Sequence, residues 1–137
     1  MTHAPSEDAA ASLAAFIAPE RRERFLALLG SARGRAKLRA ALAHFRDLDP
    51  ACVRAVPASE HTPAAIGALL RAGGAPEGCY ALSEDAELDG RELPLEEALA
   101  RVVGGGSSTL LSCIPGRLAY YEGEEAGERF VLLRAAV

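Results

Sequence analysis

The residues able to do chemistry are few and scattered. Cys113 stands at the end of an apolar run beside a Pro-Gly turn, in "SCIPGR". A strand end is where a nucleophile could be displayed, and His44 or His61 could supply a base. His44 also lies one helical turn before Asp47, close enough for the carboxylate to orient its ring. These residues define a hydrolase-like alternative in which Cys113 or His44 acts with an acidic partner. No family-type sequence surrounds the cysteine, and an apolar cross-strand neighbour raises a thiol's pKa instead of activating it. Cys113 is therefore read as structural, and His44 as a histidine at the boundary of the core.

Metal chemistry has one candidate segment. In "DAELDGRELPLE", residues 85–96, Asp85, Asp89, Gly90 and Glu96 occupy matching positions of the calcium-loop pattern D-x-[DN]-x-[DN]-G-x5-E. Over this stretch alone the chain resembles the EF-hand family, and the resemblance implies calcium ligands at Asp85, Asp89 and Glu96. Glu87 stands where Asp or Asn is required, Pro94 starts a helix inside the loop, and the preceding "CYALS" reads as a strand. A turn at Asp89-Gly90 leading into an acid-capped helix accounts for the same letters, so no metal is expected. Three cysteines, at 52, 79 and 113, and histidines at 3, 44 and 61 contain no zinc spacing. "VVGGGSS" lacks both phosphate-loop patterns and reads as a connector. No cofactor is called for.

Charge is the stronger signal. The net charge of -4 hides a basic segment, Glu20 to Arg46, at +6, and an acidic remainder from Ala51 onward at -6. Neutralisation of one by the other is the first reading. An acidic partner bound through Arg21, Arg22, Arg24, Arg35, Lys37 and Arg39 is the second. Nucleic-acid binding through the helices of 20–46 is an alternative that the overall negative charge disfavours.

These residues must be held by elements, and 137 residues at 50% hydrophobic suffice for one domain with a real core. Ser6 can cap a short Ala-rich helix. Pro19 suits the first turn of a second, Ser31 can cap a third, and helices are expected over 19–30, 35–46, 63–72 and 94–103. A strand is expected near 79–83. "TLLSC", "LAYYE" and "RFVLLRA" are spaced as a C-terminal antiparallel three-strand meander. A four-residue loop over Ile114 to Arg117 places Cys113 across from Leu118, Leu111 across from Tyr120 and Thr109 across from Glu122. Tyr120 and Tyr121 then point to opposite faces and fill the core.

Both faces of that sheet carry apolar side chains and must be covered. The helices at 63–72 and 94–103 suffice for one face. The N-terminal hairpin is expected over the other, with a homodimer as the alternative. The fold class is α+β: a single domain of 1–137, with a helical part over 1–50 and a mixed part over 51–137 whose sheet is covered on both faces. No apolar run approaches the roughly 20 residues that cross a bilayer. The odd cysteines read as reduced thiols in a soluble cytoplasmic protein without a leader. The functional reading is a non-catalytic protein-interaction or regulatory module, with a protein partner or self-association and no membrane.

Overall fold

The computed structural model describes residues 5–125 and 127–134. Within them the chain is mixed α+β, with five α-helices and a six-stranded antiparallel sheet. The helices are α1 (Pro5–Ser12), α2 (Arg22–Leu29), α3 (Ala32–Ala41), α4 (Pro63–Ala72) and α5 (Leu95–Val102). The strands are β1 (Val53–Ala55), β2 (Gly78–Ser83), β3 (Glu92–Pro94), β4 (Thr109–Ile114), β5 (Leu118–Glu122) and β6 (Arg129–Leu133), in the order β1-β6-β5-β4-β2-β3.

Local signals place most helix ends. Ser31 Oγ accepts the Gly34 N–H at 2.9 Å and starts α3; Thr62 Oγ1 accepts the Ala65 N–H at 3.1 Å, with Pro63 in the first turn of α4. Three of the expected boundaries move. α1 spans Pro5–Ser12, so Ser6, the expected cap, lies inside it. The second helix opens as a 3-10 turn over Pro19–Arg21 before α2. The third starts at Ala32, not 35, and ends in a 3-10 turn over Leu42–His44. α2 and α3 cross closely: a Cβ on Gly34 would lie 2.8 Å from Leu28 Cα, so a glycine is required there.

The hairpin of β4 and β5 pairs Leu111 with Tyr120 and Thr109 with Glu122. Cys113 does not face Leu118; Leu118 pairs with Ile114, and the register shifts between Ser112 and Ile114. The turn explains the difference. Arg117 N–H donates to Ile114 O at 2.9 Å, and Gly116 takes φ +74° after Pro115. This closes a loop of Pro115 to Arg117 on Ile114 and leaves Cys113 as the extra residue of a bulge.

Alternation along the strands divides the sheet into two faces. Tyr80, Leu82, Leu110, Ala119, Tyr121 and Leu132 join Leu13, Phe16, Phe25, Leu38, Leu42 and Phe45 of the N-terminal part in one buried cluster. The scarce aromatics gather here: Phe25, Phe45, Tyr121 and Phe130 follow one another at centroid distances of 6.4, 6.2 and 6.0 Å. Tyr121 OH donates to Leu42 O at 2.6 Å and accepts the Phe45 N–H at 3.3 Å, which ties the end of α3 to β5. On the opposite face Ala81, Leu111, Leu118, Tyr120 and Val131 pack with Ile66 and Leu70 of α4 and Leu95, Leu99 and Val102 of α5. Each large apolar side chain buried in this way contributes about 1.5–3 kcal/mol. Among the described residues no helix is long and apolar enough to cross a membrane.

Candidate functional site

The basic segment splits into two fates. On α3, Arg35 grips Asp89 with two donors, Nε to Oδ2 at 3.1 Å and Nη2 to Oδ1 at 3.0 Å, and Nη2 also donates to Tyr80 OH at 2.6 Å. Arg39 donates to Ser83 O at 2.7 Å and to Glu84 O at 3.1 Å, with Asp89 Oδ2 at 3.5 Å. Burial pulls the Arg35 pKa down, but its hydrogen bonds with Asp89 and Tyr80 outweigh that and raise it above the ordinary arginine value. The same surroundings raise Tyr80, by burial first, with Arg35 opposing. Arg35 and Arg39 are therefore spent internally, on Asp89 and on the carbonyls of Ser83 and Glu84. Arg24 and Lys37 make no ion pair among the described residues.

That clasp also settles the geometry of the calcium-like segment. Asp89 faces Arg35 and accepts the Ser83 N–H at 3.0 Å. Asp85 accepts the Glu87 N–H at 2.9 Å and faces Arg101 at 3.2 Å. Glu96 sits on α5 beside Arg71, Pro63 and Ala64. The three carboxylates do not converge, and among the described residues no three His, Cys, Asp or Glu side chains are grouped to hold a metal.

The catalytic candidates are separated as well. His44 pairs with Glu124 at 2.9 Å, both more than half exposed, while Asp47 lies 4.0 Å from Arg21. Cys113 is buried in the cluster on the opposite face, next to the turn, with β5 spanning about 14 Å between that turn and the Glu124 end. Burial pushes the Cys113 thiol up to about 12, with the Cys79 thiol adding to the shift, and burial alone pushes Cys79 up to about 12. A thiol so raised is protonated at neutral pH and is not a nucleophile. Cys113 and Cys79 help to line a hollow of about 230 Å³ at the end of β2 and β4, with Tyr80, Glu92 and Ser112. Ser112 Oγ is buried there without a hydrogen-bond partner, and Glu92, the carboxylate of this lining, makes no hydrogen bond to it.

The second fate of the basic residues is found at the edge of the sheet. Arg22, Asp49, Arg54 and Arg134, with Pro19, Ala51, Cys52 and Leu133, line an open groove of about 620 Å³. Its walls are built by the chain crossing itself: Ala18 N–H donates to Asp47 O and Asp49 N–H to Phe16 O, both at 2.8 Å, and Ile17 bridges to Leu48. Val53 pairs with Leu132, which sets β1 against the end of β6. Each guanidinium is pinned by a backbone carbonyl. Arg22 Nε donates to Ile17 O at 2.9 Å, Arg134 Nη1 to Ala15 O at 2.8 Å and Arg54 Nη1 to Val53 O at 3.1 Å. Asp49, whose Oδ1 caps Ala51 N–H at 3.0 Å, stands 3.9 Å from Arg22, too far for a hydrogen bond. Burial raises the Cys52 thiol, Asp49 adds to this, and Arg134, Arg22 and Arg54 all pull it down, so the three cations act on one point.

Of the expected binding set only Arg22 reaches this groove. Arg54 and Arg134 come from the acidic part of the chain, and no spacing rule links them; the pairing of β1 with β6 does. No family model matches the chain, nor does any curated protein or solved structure.

Proposed function

We propose that the chain is a non-catalytic interaction or regulatory module of the cytoplasm, acting by binding an acidic partner. One observation carries the reading: among the described residues, three guanidiniums from three distant segments line one groove with a single carboxylate, a formal +2. The lining is mainly cationic: its carboxylate, Asp49, is engaged by the Ala51 N–H and its thiol, Cys52, is buried and raised, a composition that suits a binding surface better than a catalytic one. Arg35 and Arg39 on α3 are excluded from the contact because Asp89 already occupies them. The chain closes both faces of its sheet with its own helices as one folding unit, so the partner is not needed to complete the core.

The reading is tested by fluorescence anisotropy with a labelled peptide of alternating Glu and Gly at low ionic strength. Saturable binding that weakens steeply as salt is raised is the expected result, because the attraction is electrostatic and screened over about 10 Å at 0.1 M salt. Absence of binding by any anionic peptide would overturn it.

A further inference from the structure

We infer that the groove between β1, the end of β6 and the start of α2 is a phosphoryl-binding site whose ligand is a phosphate monoester. This rests on the reading of the chain as a module for an acidic partner, and names the group that its groove recognises.

Three features select this chemistry. The first is charge. Arg22, Arg54 and Arg134 against Asp49 leave a formal +2, and a phosphate monoester carries about -1.5 to -2 at neutral pH, whereas one carboxylate carries half of that. The second is donor supply. A guanidinium has five N–H donors in a planar fork, and each of these three has donors fixed on backbone carbonyls. The remaining N–H groups of each fork are held ready for the oxygens of a ligand. Three forks lining one groove can serve the three free oxygens of a tetrahedral monoester, whereas a two-oxygen carboxylate leaves one fork idle. Because the carbonyls pre-set the side chains, less rotamer freedom is lost on binding.

The third feature is room. The groove of about 620 Å³ exceeds what a phosphate alone would fill, and Pro19 and Leu133 offer an apolar wall to whatever carries the phosphate. Leu133 is one of two large apolar side chains exposed among the described residues, at 38%. The carrier is either a phosphorylated side chain of another protein or a free phosphorylated small molecule. The recognised group is the same in both.

Isothermal titration calorimetry on the full chain separates these sources. The probes are inorganic phosphate, a phosphoserine peptide with its unphosphorylated and aspartate counterparts, and a sugar phosphate with its parent sugar. Saturable binding of inorganic phosphate is expected, with sulfate competing as an isosteric dianion. The tighter of the phosphopeptide and the sugar phosphate identifies the carrier. Arg54→Gln, at an exposed position where the melting temperature is expected to stay unchanged, is expected to weaken phosphate binding about tenfold. Lys37→Gln should change it less than twofold. The proposal is overturned if phosphate does not bind, or if Arg54→Gln weakens it no more than Lys37→Gln. If phosphate fails while the unphosphorylated acidic peptide binds, the phosphoryl site falls and the module reading stands; if neither binds, both fall.

Discussion

Arg35 and Arg22 belong to the same basic segment and have opposite surroundings. Arg35 has a carboxylate 3.0 Å away, a tyrosine hydroxyl at 2.6 Å and an aromatic face beneath its guanidinium. Arg22 is pinned by a carbonyl and, among the described residues, has its nearest carboxylate, Asp49, at 3.9 Å. The first arrangement satisfies the cation and fastens α3 to the 83–89 loop. The second fixes the side chain on a carbonyl and leaves it with only a loose ion pair, not a hydrogen-bonded one. A charge excess counted along a sequence therefore says little until each cation is assigned a partner: in one place it is structural cement, in the other an open binding surface.

Removing the carboxylate of the clasp should have the largest effect. Asp89→Ala leaves two guanidiniums and the Ser83 N–H without their shared acceptor in a largely buried setting. A loss of about 3 kcal/mol is expected in urea unfolding. A loss below about 0.5 kcal/mol, the range of an exposed pair, would erase the difference between the clasp and a surface contact.

Alkaline titration comes next, and it contrasts the groove thiol with the other two. Cys79 and Cys113, raised from 9.0 to about 12 by burial, stay protonated when the unfolded chain has lost those protons. Their contribution is complete below pH 9 and is lost as pH rises from 9 towards 12, so stability should fall over that window by a few kcal/mol. Cys52 is also raised, but three arginines oppose the shift. It should alkylate first with iodoacetamide at pH 8.5, as followed by peptide mass spectrometry, and labelling of Cys113 ahead of Cys52 would contradict the assignment of those arginines to one groove.

Smaller effects sharpen the contrast. Tyr80→Phe removes one acceptor from Arg35 and should cost about 1 kcal/mol in urea unfolding, whereas Arg54→Gln in the groove should leave unfolding within about 0.5 kcal/mol of the parent. A large destabilisation by Arg54→Gln would mean that the groove arginines are structural after all.

How much of this could be read beforehand follows from the range of the interactions involved. α4 was legible at both ends because Thr62, Pro63 and Gly73 are local signals within or beside the helix. The pairing of Leu111 with Tyr120 followed from placing the hairpin end at the Ile114–Arg117 loop, and it holds because the bulge at Cys113 offsets the one-residue shift of a turn that closes on Ile114. β1 and β3 left no trace, since "VRA" and "ELP" are strands only because β6 and β2 lie beside them. The groove was hidden for the same reason. Arg54 and Arg134 are adjacent only once β1 and β6, at opposite ends of the 51–137 segment, are paired.

The contrast between spent and open arginines can be observed directly in one titration. Arginine Nε–Hε resonances are recorded by ¹⁵N-correlated NMR while inorganic phosphate is added to the full chain at constant ionic strength. The expected result is that the signals of Arg22, Arg54 and Arg134 move together along one saturating curve while those of Arg35 and Arg39 stay in place. If Arg35 and Arg39 shift as much as the groove arginines, or if none of the three groove signals saturates, the division of the basic residues into a clasp and a binding groove is wrong.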